Sequence, residues 1–94
     1  MGKERLKSWQ RKSATISSIA QTLFKVHGFD ADRAVAVAYW FKTGRMTTLS
    51  EFRFCESMRR AEILSDLTLD DAKVMLRDYQ VFMGRRHYEI DQIP

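Results

Sequence analysis

The chain has 94 residues, of which 45% are hydrophobic and 30% charged, with one cysteine, one proline and a formal net charge of +4. This composition excludes a disordered polypeptide, which would be poorer in apolar residues, and a disulfide-rich secreted mini-protein, which would be richer in cysteine. The length suits one domain, residues 1–94, near the lower end of what folds alone.

The first twelve residues form a basic arm that carries the whole charge excess. Five basic residues stand against Glu4, and Trp9 lies among them. The five cations are Lys3, Arg5, Lys7, Arg11 and Lys12. Apolar residues at spacings of three and four predict a long amphipathic helix over about 3–27. Hydroxyl side chains over 13–18 compete for backbone hydrogen bonds, so we expect the helix to be firm only from about Thr15 and the arm to fray.

The second segment is the most apolar. Residues 34–41 read Ala-Val-Ala-Val-Ala-Tyr-Trp-Phe, without one polar side chain. An N-cap at Asp30, a stop at Gly44 and the alanine content predict a helix over about 31–43. Alternation of alanine with larger residues also permits a strand, which is the less favoured alternative. A helix that is apolar all round has to be covered all round, so we expect it at the centre of the fold, beneath the other helices or a second copy.

Two further helices are indicated by capping boxes. A Thr-x-x-Glu box at Thr48 opens a segment over about 49–64, and a Thr-x-x-Asp box at Thr68 opens another over about 69–83. Gly84 follows the last segment, where a glycine commonly ends a helix.

Four helices joined by short loops predict an all-α fold. The expected architecture is a small four-helix bundle with a central apolar helix and a basic N-terminal helical extension. Residues 13–84 would form the helical core, between the basic arm of residues 1–12 and a C-terminal tail of residues 85–94.

Candidates for catalysis are few. His27 and His87 each lie near a glycine and a predicted helix end, where imidazole more often caps carbonyls than transfers protons. Cys55 falls on the apolar stripe of the 49–64 segment and is interpreted as a small buried hydrophobe, although Arg59 one turn away leaves a reactive thiol open. The pair spacings of zinc sites and the glycine-rich loops that bind phosphate are both missing from the sequence. We therefore expect no enzyme, no metal site and no cofactor.

The sequence also predicts a cytoplasmic protein with no membrane association. The longest apolar run, residues 34–41, is far shorter than the roughly 20 residues that span a bilayer. No apolar region follows the charged first residues, as a secretory signal would require. The lone cysteine fits a reducing compartment.

The first candidate binding surface is the basic arm. Cations beside an aromatic residue can follow phosphates and stack on a base, which makes the arm a candidate nucleic-acid site. Its candidate residues are Lys3, Arg5, Lys7, Trp9, Arg11 and Lys12. The alternative is a solvated helix end that keeps the protein soluble, with Trp9 packed on the bundle.

The second candidate surface is aromatic. Five aromatic residues give more bulk than two adjacent helices need for a small core, so those that are exposed would mark a protein interface. These residues are Tyr39, Trp40, Phe41, Phe52 and Phe54. The alternative is that they are simply core.

From these observations we expect a non-enzymatic interaction or regulatory module that binds another protein and self-associates as a homodimer. The main alternative is a nucleic-acid-binding protein that uses the basic arm. An enzyme inhibitor or decoy is a third, weaker alternative, because small size permits it without indicating it.

Overall fold

The computed structural model describes residues 6–46 and 62–92, with side chains described over 6–46 and 62–85. Within these residues the fold is all-helical and contains no strand. A single 3-10 turn is followed by three α-helices: the turn Ser8–Gln10, α1 Ile16–Lys25, α2 Ala31–Thr43 and α3 Leu69–Gln92. The predicted all-α class is confirmed. The helix predicted over 49–64 lies outside the described residues.

The helix α1 begins at Ile16, which agrees with the firm start expected near Thr15 but not with a helix that starts near residue 3. Thr15 is its N-cap: the Thr15 side chain accepts from the Ser18 amide at 3.0 Å, and the Ser18 hydroxyl accepts from the Thr15 amide at 3.0 Å. This reciprocal pair is a capping box with serine in the third helical position. The hydroxyl side chains that weaken a continuous helix therefore start a new one.

The described part of the basic arm, residues 6–12, is not an α-helix, so the helical extension predicted there is wrong. The arm does not fray over these residues either, because the single turn Ser8–Gln10 is anchored to the rest of the molecule. The Asp66 carboxylate accepts from both the amide and the hydroxyl of Ser8. Trp9 is buried, and its indole Nε1 donates to the Asp66 carbonyl at 3.2 Å.

The helix α2 coincides with the predicted range, and the strand alternative is wrong. Asp30 stands at the N-cap position but its side chain makes no cap hydrogen bond. Gly44 ends the helix with φ +71° and donates to the Trp40 carbonyl at 2.6 Å. None of residues 34–41 is fully exposed, as expected for an apolar run that lies between α1 and α3.

The helix α3 begins as predicted and ends later. The Thr68 hydroxyl accepts from the Asp71 amide at 3.2 Å and the Asp71 carboxylate accepts from the Thr68 amide at 3.2 Å, which confirms this capping box. Gly84 does not end the helix: its φ is not positive, and α3 continues to Gln92. A glycine inside a helix costs roughly 1 kcal/mol, which good helix formers on both sides outweigh.

The core lies between α1 and α2 and is closed by the start of α3 and by Trp9. Its buried apolar residues are Trp9, Ala14, Ile19, Ala20, Leu23, Ala34, Val35, Val37, Ala38, Leu67, Ala72 and Met75. Three polar residues of α1, namely Ser18, Gln21 and Thr22, are also buried. The Thr22 hydroxyl donates to the Ser18 carbonyl and accepts from the Leu64 amide at 2.8 Å, whereas Gln21 Oε1 has no hydrogen-bond partner.

Among the described helices, none is both long enough and apolar enough to cross a membrane.

Candidate protein-interaction surface

Successive aromatic residues at the end of α2 point to different neighbours. Phe41 turns towards the core, where its ring centroid lies 5.3 Å from that of Trp9. Trp40 is rotated about 100° from Phe41 by the helix geometry, and it meets α3 instead. Its ring lies 6.1 Å from Tyr79 and 5.9 Å from Phe82. Tyr39 is half-buried.

Two clefts open where α2 meets the second half of α3, and Phe82 lines both. One, of about 390 Å³, is lined by Trp40, Asp78, Val81, Phe82 and Arg85. The other, of about 490 Å³, is lined by Gly44, Arg45, Met46 and Phe82. We call this region the α2–α3 surface and define it by Trp40, Met46, Asp78, Tyr79, Val81, Phe82 and Arg85.

The α2–α3 surface has an apolar centre and a charged edge. Val81 is 49% exposed and Met46 39% exposed, while Trp40 and Phe82 remain half-buried. Asp78 and Arg85 are exposed on either side of Val81. An apolar, aromatic centre inside a polar rim is the usual anatomy of a protein interface.

Tyr79 joins the α2–α3 surface to the core. Its ring packs on the core cluster as well as on Trp40. Burial raises the pKa of the Tyr79 phenol above its ordinary value of 10, against the opposing effect of Arg33. The phenol therefore stays protonated and neutral at physiological pH.

The predicted site residues are partly brought together. Trp40 lies in the α2–α3 surface, Phe41 lies inward against Trp9, and Tyr39 is half-buried beside them. Phe52 and Phe54 lie outside the described residues. The α3 contribution was missed in the sequence, although Val81 and Phe82 lie two and three residues after Tyr79 and add apolar bulk to that helix.

The described part of the basic arm packs on the rest of the protein, unlike a free tail that binds nucleic acid. Lys7 Nζ donates to Asp71 Oδ2 at 3.1 Å and lies 5.9 Å from the Trp9 ring centroid. Trp9 is only 7% exposed, so its faces are covered by protein. The side chains of Arg11 and Lys12 are exposed. Lys3 and Arg5 lie outside the described residues.

Of the candidates for catalysis, the side chain of His27 alone is described, and it has a structural role, as has Asp66. His27 Nε2 lies 2.6 Å from the Leu67 carbonyl, which can only accept, so Nε2 carries the hydrogen and His27 closes the loop before α3. The hydrogen bond from the Ser8 hydroxyl lowers the pKa of Asp66 below 3.8, against burial. Cys55 and the side chain of His87 lie outside the description.

In the described part of the chain, no three His, Cys, Asp or Glu side chains are grouped so as to hold a metal ion.

Comparison of the chain with protein-family models, with curated proteins and with solved structures found no match.

Proposed function

We propose that the protein is a non-enzymatic helical interaction module that binds another protein and associates with itself through the α2–α3 surface. The observation that carries this proposal is the cluster of Trp40, Tyr79 and Phe82 beside the exposed Val81. Aromatic residues in partly desolvated clefts supply most of the binding energy at protein interfaces. A cytoplasmic location is part of the proposal.

Exposed apolar side chains are the second observation that supports the proposed interaction surface. Val81 and Met46 line the clefts and are 49% and 39% exposed, and Val74, seven residues before Val81 on α3, is 45% exposed. Scattered apolar side chains on a surface need no explanation, but exposed apolar side chains that line aromatic clefts are typical of an interaction site.

The structural use of the described ionisable groups supports a non-enzymatic role. Asp66 holds the amide and hydroxyl of Ser8, Asp71 caps α3 and pairs with Lys7, and His27 binds the Leu67 carbonyl. These contacts fix loops and helix ends. A general acid or base would instead face an open site with its proton available to a substrate.

Two finer features belong to the proposal. The fourth helix over 49–64 would complete the four-helix bundle, and Phe52 and Phe54 within it are further candidates for the interface. The homodimer is the form of self-association that we propose, because two-fold pairing is the commonest closed assembly of identical chains.

Sedimentation velocity over a concentration series tests the proposal with two matched variants. Phe82→Glu places a charge in the α2–α3 surface, whereas Phe24→Glu changes a 38% exposed phenylalanine of α1. We expect the wild type and Phe24→Glu to gain mass with concentration and Phe82→Glu to remain monomeric. Circular dichroism checks that both variants are folded. A wild type that stays monomeric at every concentration would contradict self-association.

Nucleic-acid binding by the basic arm is the alternative, and the exposure of Arg11 and Lys12 is the observation that favours it. The test is fluorescence anisotropy with a labelled single-stranded oligonucleotide at increasing salt. On this alternative, Arg11→Gln/Lys12→Gln weakens binding and lowers the salt slope by about 1.4, at roughly 0.7 per phosphate contact. Binding that is absent at low salt excludes the alternative.

A further inference from the structure

We propose that the occupant of the α2–α3 surface is a second copy of the chain, whose α3 packs antiparallel to the first about a two-fold axis level with Val81 and Phe82. This inference rests on the self-association in the proposed function. The further inference specifies which helix forms the dimer contact, the relative direction of the two helices and their register.

The pairing face is a stripe along one side of α3. Val74, Asp78, Val81 and Arg85 follow one another at spacings of four, three and four residues. Such spacing places them in a single line on a helix, and it is the spacing of the seam in helix pairs. All four are exposed, with Val74 45% and Val81 49% exposed.

Among the residues that the structure describes, the core cluster covers only the first half of α3. Tyr79 is the last residue of α3 in the described core cluster, whereas the helix continues to Gln92. At 1.5 Å per residue, the 24 residues of α3 extend over about 36 Å. Helices in proteins owe most of their stability to a packed apolar face, and a second α3 would provide one for the second half.

The two charges in the stripe decide the direction of the pairing. Asp78 and Arg85 lie equally far on either side of the point midway between Val81 and Phe82. In an antiparallel pair centred there, Asp78 of each copy is level with Arg85 of the other, which gives two equivalent ion pairs. A parallel pair in register would instead place Asp78 level with Asp78 and Arg85 level with Arg85. Opposite charges at such positions favour one orientation over the other.

The same axis also brings the aromatic clefts together. A two-fold axis perpendicular to both helices keeps the same flank of each helix on the same side. Trp40 and Phe82 line the cleft beside Val81, so the clefts of the two copies would adjoin across the axis. The patch is thus complementary to itself, as a two-fold interface requires.

Charge reversal tests the register. Asp78→Arg leaves arginine level with arginine in the proposed pair, and Arg85→Glu leaves two acids level with each other. Each change turns two attractive contacts into repulsive ones, so we expect each variant alone to dimerise at least about tenfold more weakly. The double variant Asp78→Arg/Arg85→Glu restores both contacts and should dimerise within about threefold of the wild type.

Mixing provides the sharpest measurement. Equal amounts of the Asp78→Arg and Arg85→Glu proteins should form a heterodimer, because each supplies the charges that the other lacks. Lys73→Glu is the control, since it changes the net charge of α3 as much as Arg85→Glu does, at an exposed position off the stripe. This control should leave dimerisation within about twofold of the wild type. Circular dichroism establishes that each variant is helical.

The outcomes separate this inference from the proposed function. The antiparallel α3 pair is overturned, and self-association still stands, in either of two cases. The wild type dimerises but neither single variant dimerises more weakly, or the mixture of the two variants dimerises no better than each variant alone. A wild type that is monomeric throughout overturns self-association itself, and the α3 pair with it. The inference is supported if dimerisation weakens in both single variants and recovers in the double variant and in the mixture.

Discussion

Asp66 and Asp71 are carboxylates that bind the described part of the basic arm, at Ser8 and Lys7. Asp66 accepts hydrogen bonds from the amide and the hydroxyl of Ser8. Burial raises the pKa of Asp71, but hydrogen bonds from Lys7 and Thr68 outweigh this effect, so its pKa also lies below the ordinary 3.8. Both groups therefore bind protons more weakly in the folded state than in the unfolded chain.

We predict that the free energy of unfolding falls in acid because of these groups. A lowered folded pKa contributes stability that is complete above the unfolded pKa, near 4, and is lost as the pH falls through the folded pKa. Urea unfolding from about pH 6 to about pH 2.5 should show the loss. Asp66→Asn cannot titrate, so its curve should be flatter below about pH 4. If the free energy of unfolding of this variant falls with pH as steeply as that of the wild type, other carboxylates cause the loss of stability in acid.

Gln21 is a residue at which the native sequence is not optimal for stability. Its side chain is 2% exposed and its Oε1 has no hydrogen-bond partner. Gln21→Met keeps nearly the same length without a buried acceptor, so we expect the free energy of unfolding to rise by about 1 kcal/mol. The matched control is Gln80→Met on the exposed side of α3, which should change stability by less than about 0.5 kcal/mol. Thermal unfolding of both variants measures the difference.

At the scale of elements, the glycines divide into two kinds that look alike in the sequence. Gly28 and Gly44 follow α1 and α2 with φ +76° and +71°, as glycines that end helices do. Gly84 lies inside α3 in ordinary helical conformation. A Cβ at position 84 would meet no side chain and no other segment of the chain within 4 Å.

We predict opposite effects of alanine at two of these glycines. Gly84→Ala should stabilise the surrounding helix by about 0.5–1 kcal/mol, because alanine loses less backbone freedom on folding. Gly44→Ala should cost about 1 kcal/mol or more, because the left-handed conformation strains any residue with a Cβ. Amide exchange in α3 measures the first, and thermal unfolding measures the second. If Gly84 were a break in α3, amide exchange in that helix would not become slower in Gly84→Ala, and this result would contradict the prediction.

The helices that could be predicted from the sequence are those whose ends are specified locally. Thr68 and Asp71 specify the start of α3 within four residues, and Gly44 ends α2 through its own conformation. The end of α3 could not be predicted in this way. The start of α1 was predicted only in part, because the hydroxyl residues indicated a firm start near Thr15 while the apolar spacing continued back to about residue 3. A glycine does not reveal its φ in the sequence, and the helical pattern through Trp9 gave no sign that Ser8 binds a carboxylate 58 residues away.

The same limit applies to the candidate surface. The apolar run of α2 predicted that Trp40 and its neighbours matter, and the structure places Trp40 beside Phe82. Which aromatic turns inward depends on where α3 crosses α2, and no local pattern encodes that crossing. Trp9 illustrates the point, because its position among cations suggested stacking on a base while its indole lies in the core.

At the scale of the whole molecule, Trp9 makes the described part of the basic arm, residues 6–12, part of the folded domain. Trp9→Ala should cost about 3–5 kcal/mol, a large share of the 5–15 kcal/mol typical of a whole domain. Trp9→Phe keeps an aromatic ring but loses the hydrogen bond to the Asp66 carbonyl, and should cost about 1 kcal/mol from that bond. Lys12→Ala, at an exposed position in the arm, is the control and should be nearly neutral. Urea unfolding that is equal for Trp9→Ala and the control would show that the arm is an appendage.

The contact between Ser8 and Asp66 also sets an order of events during synthesis. Ser8 can make its hydrogen bonds only after the ribosome has added Asp66, 58 residues later. Until then Trp9 has neither its acceptor nor its complete cover, although α1 and α2 can already pair. Closing so long a loop is slow compared with forming local helices. Until the ribosome has added Asp66, the Trp9 indole of the nascent polypeptide is therefore open to a chaperone.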